Sequence, residues 1–170
     1  MDLRSRKRSS NPFSLSDVEG DLNNAYFVFF DGREGYSLMS KDVVEVAPRA
    51  APTRVPFTPP WMEGVISARG EIIPVIDLNR YFGLQDGDEP DRQRLIVVQQ
   101  DEQLVAIWAT SITGVEALSP ENMEAPMSTL PHPLTQCMLG QWRKGDRIIY
   151  CLDTKKLFQQ TSHALKTPGD

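Results

Sequence analysis

Cysteine is scarce in this chain: Cys137 and Cys151 are the only two, and they form no C-x-x-C pair. Two isolated thiols give no framework for stapling a small secreted domain, and they fit a reducing compartment. Histidine is equally sparse. His132 sits in a proline-rich stretch and His163 near the C-terminus, and neither has a second His or Cys at metal-site spacing. No metal and no cofactor are therefore expected. No segment approaches the ~18 consecutive apolar residues of a membrane span, and the charged N-terminus has no apolar stretch behind it to make a secretory signal. The expectation is a cytoplasmic protein with no direct membrane insertion.

Catalytic signatures are missing as well. There is no G-x-S-x-G and no G-x-x-x-x-G-K-[ST]. His132 and Cys137 are neighbours in sequence, but their spacing says nothing about a nucleophile and its base. No catalytic residue is assigned, and the chain reads as a non-enzyme. Positive charge is short too: 18 basic against 23 acidic residues leave a net charge of -5, which repels phosphate backbones. The only dense basic cluster, Arg4, Arg6, Lys7 and Arg8, lies in a polar leader and reads as a solvated tail.

What is present is ordinary soluble-protein material. The 170 residues are 40% hydrophobic and 24% charged, enough for one substantial core or two small ones sharing an interface. Residues 1–22 are polar and turn-rich and read as a disordered or loosely docked leader. Order is expected to begin with the aromatic and β-branched run at 26–30, turning at Asp31-Gly32 into a returning strand at 36–39. Ser40 is placed to cap a short helix over 41–46, ended by Pro48. A proline-rich connection through Pro52, Pro56, Pro59 and Pro60 leads to a strand at 62–66. Arg69-Gly70 makes a hairpin turn into a strand at 71–76, where Pro74 suggests an edge position or a bulge. Asp77 starts a short helix through Phe82, stopped by Gly83. The acidic, turn-rich residues 85–93 read as an exposed loop. A hairpin at 95–98 and 104–108 follows, then an apolar piece at 115–118 and a helix-start signal at Ser119-Pro120-Glu121. Pro126, Pro131 and Pro133 mark an irregular connection. A final hairpin turns at Lys144-Gly145-Asp146, and a last helix runs from Asp153 through Phe158.

The two halves echo each other at a constant offset of 76 residues: Gly64 matches Gly140, Ile72-Ile73 matches Ile148-Ile149, Ile76 matches Leu152, Asp77 matches Asp153, and Phe82 matches Phe158. An aspartate between a strand and a short helix has a simple structural task, accepting from the first free helix amides. Its occurrence twice favours capping over catalysis. Short strands punctuated by glycine and proline indicate an all-β fold with a few short helices.

The segment at 64–78, Gly-Val-Ile-Ser-Ala-Arg-Gly-Glu-Ile-Ile-Pro-Val-Ile-Asp-Leu, resembles the signature of CheW-like chemotaxis adaptor domains, in which a G-V-x-N-L-R-G turn leads into a P-V-[IV]-D-L strand end. Ser67-Ala68 replace the usual Asn-Leu. The likeness extends in pattern over nearly everything from Tyr26 onward. It implies two five-stranded SH3-like barrels packed side by side within residues 23–160, as intertwined subdomains of roughly 23–90 and 91–160, with 161–170 as a tail. It further implies a non-catalytic scaffold that couples the cytoplasmic tips of chemoreceptors to the regulatory domain of a CheA-type histidine kinase, recruited to membrane-bound arrays. The partner-contact positions carried over by the motif are Glu45 and Arg69, with Val43 and Val46 flanking the same groove. An ordinary surface ion pair and plain core packing are the structural alternatives for these four. The functional alternative is an acidic barrel module that binds nucleic acid, or another protein outside chemotaxis.

Overall fold

The computed structural model describes residues 24–84 and 91–166. Ten strands run in order: β1 (Ala25–Asp31), β2 (Glu34–Met39), β3 (Val43–Pro48), β4 (Met62–Ala68), β5 (Glu71–Ile76), β6 (Arg94–Gln100), β7 (Gln103–Ala109), β8 (Ser111–Ala117), β9 (Met138–Lys144) and β10 (Arg147–Leu152). Helices α1 (Leu78–Phe82), α2 (His132–Cys137) and α3 (Thr154–Lys166) fill the corners. The strands form two five-stranded sheets, ordered β8-β1-β2-β10-β9 and β3-β6-β7-β5-β4. We call these the first and second barrels.

Each barrel takes the first two strands of one sequence half and the last three of the other. In both, the order is third, first, second, fifth and fourth strand of a half. The cause is local. One turn of 3-10 helix (Ser40–Asp42) carries the chain from β2 to β3, and Thr110 alone separates β7 from β8. Neither link leaves room for a hairpin in the same sheet, so β3 crosses to pair with β6 and β8 crosses to pair with β1. A division near residue 90 therefore separates the repeats but not the barrels.

Three apolar clusters hold this arrangement. Tyr26, Val28, Phe30, Trp142, Ile149 and Cys151 fill the first barrel. Ile73, Val75, Leu95, Val97, Ala106 and Trp108 fill the second. The largest cluster lies between them and draws on both sheets and all three helices, including Phe29, Tyr36, Leu38, Phe82, Ile96, Ile107, Leu134 and Phe158. Alternation along β1 explains the split: Phe27 and Phe29 face the shared core, while Tyr26, Val28 and Phe30 face the barrel interior.

The repeat is visible in the backbone. Asp77 caps α1 by accepting from the Arg80 amide at 3.1 Å, and Asp153 does the same for the Lys156 amide at 3.2 Å. Their own amides donate to Trp61 O and Cys137 O at 2.9 and 2.7 Å. Gly64 and Gly140 are also matched: a Cβ at either would collide with a crossing segment, at the Thr53 carbonyl or at the Met123 side chain and Glu124 carbonyl.

Several expectations need correction. Residues 43–46 belong to a strand and not a helix, because three β-branched valines in four positions favour the pleated form. Of the two alternatives for Pro74 the edge position fails, since β5 lies between β4 and β7, but its ladder with β7 covers only Val75 and Ile76, so the missing proline N–H is not needed there; next to it the β4–β5 ladder does shift register, with Met62 opposite Ile76 and Gly64 opposite Val75. Residues 132–137 form a helix inside the stretch expected to be irregular, started by prolines at its first turn. The last helix continues well past Phe158 to Lys166, with Thr161 buried, so the residues from 161 are not simply a tail. Of the expected loop at 85–93, residues 85–90 lie outside the described part, as does the leader 1–22; Arg92 is not exposed but buried.

A candidate partner-docking surface

The β4–β5 hairpin turns on Arg69 (φ +56°) and Gly70 (φ +74°). Two consecutive left-handed residues make the tight turn whose twist matches the flanking strands. Arginine is not a residue that favours this conformation, which costs a non-glycine side chain about 1–2 kcal/mol. Here it lifts the guanidinium off the end of the second barrel, where Arg69 Nη1 lies 3.8 Å from Glu45 Oε1. Both side chains stay open to solvent, 50% and 37% exposed. At that separation the contact is an ion pair without a hydrogen bond, worth about 0–1 kcal/mol at an exposed site.

Glu45 sits on β3 just after a register shift between Val43 and Glu45. Strands β3 and β4 stand at opposite ends of the second sheet's order, so the pair bridges two elements with no ladder between them. Val43 and Val46 are half-buried and pack against the shared core, while Val44 and Ala47 turn toward the second barrel's interior. The structure thus brings Glu45 and Arg69 together, and directs Val43 and Val46 mainly into packing.

A buried polar centre was not foreseen. Arg92 enters between the barrels and meets the Asp31 carboxylate with both arms of its fork, Nε to Oδ1 at 3.0 Å and Nη2 to Oδ2 at 2.9 Å. The same Nη2 lies 2.9 Å from Asp77 Oδ1, and Nη1 is 3.8 Å from Glu63 Oε1. Asp31 and Asp77 are 1% and 0% exposed. Burial by itself would lower the Arg92 pKa; the Asp31 and Asp77 carboxylates outweigh it and raise the pKa, keeping the guanidinium charged. Beside this centre, Tyr36 Oη donates to Asn79 Oδ1 at 2.6 Å, and Asn79 Nδ2 donates to the Asp31 carbonyl at 2.9 Å. The sequence signal was a lone arginine in an acidic run, which looked solvated.

Among the described residues, neither cysteine is set up as a nucleophile. The Cys137 thiol donates to Gln160 Oε1 at 3.2 Å, and burial pushes its pKa up to about 12. Cys151 is pushed up to about 12 by the same cause. Activated thiols are shifted the other way. Among the described residues no three His, Cys, Asp or Glu side chains are grouped to hold a metal ion, and no helix is long and apolar enough to cross a membrane.

Comparison with known proteins decides the family. A family model described as the CheW-like domain matches residues 25–162. This chain belongs to the CheW-like family. The chemotaxis protein CheW of Klebsiella aerogenes is 26% identical over 153 residues, covering 89% of this chain and 92% of its own length. The chemotaxis protein CheW of Treponema pallidum is 30% identical over 152 residues, 86% of each chain. The crystal structure of the scaffolding protein TtCheW from Thermoanaerobacter tengcongensis matches with a TM-score of 0.65 and 31% identity, over 76% of this chain and 83% of that one. The CheW-like chain described here is thus a non-catalytic adaptor of chemotactic signalling, built as a pair of SH3-like barrels.

Proposed function

We propose that this chain couples the cytoplasmic tips of chemoreceptors to the regulatory domain of a CheA-type histidine kinase, at the cytoplasmic face of membrane-bound arrays, with Arg69 and Glu45 as its receptor contacts. The observation that carries the reading is the Arg69–Glu45 pair, set between the β4–β5 turn and β3 and largely open to solvent. A solvent-exposed pair adds little stability. Its better use is orientation: Glu45 steers a planar five-donor fork that can grip a partner carboxylate or helix end. Val43 and Val46 border it with their remaining exposed surface, which suits the apolar side of an amphipathic helix.

The test is a charge swap. Arg69→Glu should keep the circular dichroism spectrum and weaken receptor-fragment capture at least about tenfold, the scale of losing one charge-assisted contact. Glu45→Arg in the same chain should restore orientation of the pair but not the sign presented to the partner, so capture stays weak. Unchanged capture by Arg69→Glu would remove Arg69 from the contact.

A further inference from the structure

Among the described residues the large apolar side chains that stand in water are Val55, Phe57, Ile72 and Leu139. Single exposures of this kind are common, but all of these except Leu139 fall on two features, a projecting turn and an open cleft.

The turn lies in the connection between β3 and β4. Pro52, Pro56, Pro59 and Pro60 stiffen its backbone. Hydrogen bonds tie it down on both sides: the Thr53 amide donates to the Val65 carbonyl at 2.8 Å, the Val65 amide to the Thr53 carbonyl at 2.9 Å, and the Met62 amide to the Pro59 carbonyl at 3.0 Å. Between these ties the Thr58 hydroxyl closes a turn by donating to Val55 O at 3.0 Å. Phe57 takes the left-handed conformation there, at φ +61°, where glycine or asparagine is the ordinary choice. Its ring is 99% exposed. A braced loop that holds an aromatic ring clear of the protein, in a disfavoured conformation, has the form of a docking knob. Arg54, three residues before Phe57, has no ion-pair partner among the described residues. Residues 49–62 hold Arg49 and Arg54 and no acid, in a chain of net charge -5.

The cleft, of about 490 Å³, opens between the second barrel and the C-terminal half of α3. Ile72, Leu104, Phe158 and Leu165 supply its apolar lining, and Ile72 is 73% exposed. Glu71 and Glu102 line it too, and neither has an ion-pair partner among the described residues. An apolar cavity of about 150 Å³ already holds benzene, so this one has room for a phenyl group and the turn that carries it. The two features match in chemistry and spacing. The knob sets a cation three residues from an aromatic ring, and the cleft sets a carboxylate beside Ile72 and another two residues from Leu104. They do not meet within one chain, because the Phe57 ring is free in solvent and the ties at Thr53 and Met62 fix the loop.

We propose that the Phe57 turn of one molecule seats in the β5–β7–α3 cleft of a second copy, with Phe57 against Ile72 and Leu104 and Arg54 against Glu71 and Glu102. Knob and cleft are different surfaces, so the contact is head-to-tail. Each added copy leaves one knob and one cleft free, and growth runs on to a ring or an open chain. One aromatic anchor in a small contact area belongs at the weak end of interfaces, with a Kd of the order of 0.1 mM. It therefore links copies that are already concentrated. The contact uses neither Arg69 nor Glu45, so it is independent of the receptor reading.

Sedimentation of the natural chain tests this. Its average mass should rise from one chain through two to larger species between about 10 µM and 1 mM. Phe57→Asn suits the positive φ and should keep the thermal midpoint while weakening association at least about tenfold. Ile72→Lys, at an exposed position, should do the same from the cleft side. Mixing these two variants is the decisive step: one keeps the cleft and the other keeps the knob, so together they should form one-to-one dimers and nothing larger. Arg54→Glu and the pair Glu71→Lys with Glu102→Lys should each weaken association about tenfold, and all three in one chain should restore it. A natural chain that stays monomeric to about 1 mM overturns the proposal and leaves knob and cleft to other proteins. It is equally overturned if the Phe57 and Ile72 variants associate like the natural chain, if their mixture associates no better than either alone, or if the joined charge reversals stay as weak as the separate ones.

Discussion

Arg92 and Asp31 stand 61 residues apart, and Asp31 ends a strand of the first barrel while Arg92 leads into a strand of the second, yet they form a two-point ion pair at 3.0 and 2.9 Å inside the protein. Asp77, which caps α1 at the end of the second barrel's β5, shares the same guanidinium at 2.9 Å. The two barrels are thus tied by a buried charge centre as well as by the shared apolar core.

Removing Arg92 leaves two carboxylates buried without their cation. Arg92→Ala should destabilise the chain by about 3–5 kcal/mol, read from the urea midpoint. Replacing the whole centre by neutral groups of similar volume (Arg92→Met, Asp31→Leu, Asp77→Asn) should recover most of that loss, because burying charge is itself costly. A single substitution that costs less than about 1 kcal/mol would show that Arg92 is solvated.

The matched glycines differ in kind from the turn glycines. Gly64→Ala places a methyl against the Thr53 carbonyl at a φ of +142°, whereas Gly145→Ala at φ +62° meets nothing within 4 Å. The first should cost more than about 3 kcal/mol and the second about 1–2 kcal/mol, measured by chemical denaturation. Equal losses would mean that the crossing segment at Thr53 yields.

Stability should fall on the alkaline side. Burial raises Cys137 and Cys151 from an ordinary 9.0 to about 12, and Tyr81 and Tyr150 from 10.0 to about 12. The folded state therefore holds these protons while the unfolded chain releases them above about pH 9, so unfolding is favoured increasingly between pH 9 and 12. The urea midpoint should be lower at pH 10.5 than at pH 7.5. Thiol titration with a disulfide reagent at pH 8 should be slow in the native chain and fast once it is unfolded.

Most strands could be read directly because each is a short aromatic or β-branched run between turn residues; the aspartate caps were legible because they occur twice. The interleaving was not. It depends on a three-residue turn after Met39 and a single residue after Ala109, and local pattern does not say which sheet the next strand joins. The expected Ser40 cap did not form: Ser40 is the first residue of a single 3-10 turn whose cap position is Met39, its side chain makes no capping hydrogen bond, and the valines that follow take the strand conformation. Arg92 was hidden for a different reason. Its carboxylate partners lie 61 and 15 positions away in sequence, and only the fold brings them together. Of the candidate contacts, Arg69 and Glu45 came from the motif, and no periodicity would have paired them.

The account stands or falls on whether this chain works by holding other molecules together. The most direct measurement mixes it with a receptor signalling fragment and a purified CheA-type kinase, then follows co-sedimentation and kinase autophosphorylation. Kinase and receptor should sediment together, with altered autophosphorylation, only when the chain is added. Equal sedimentation and equal kinase activity without it would contradict the account.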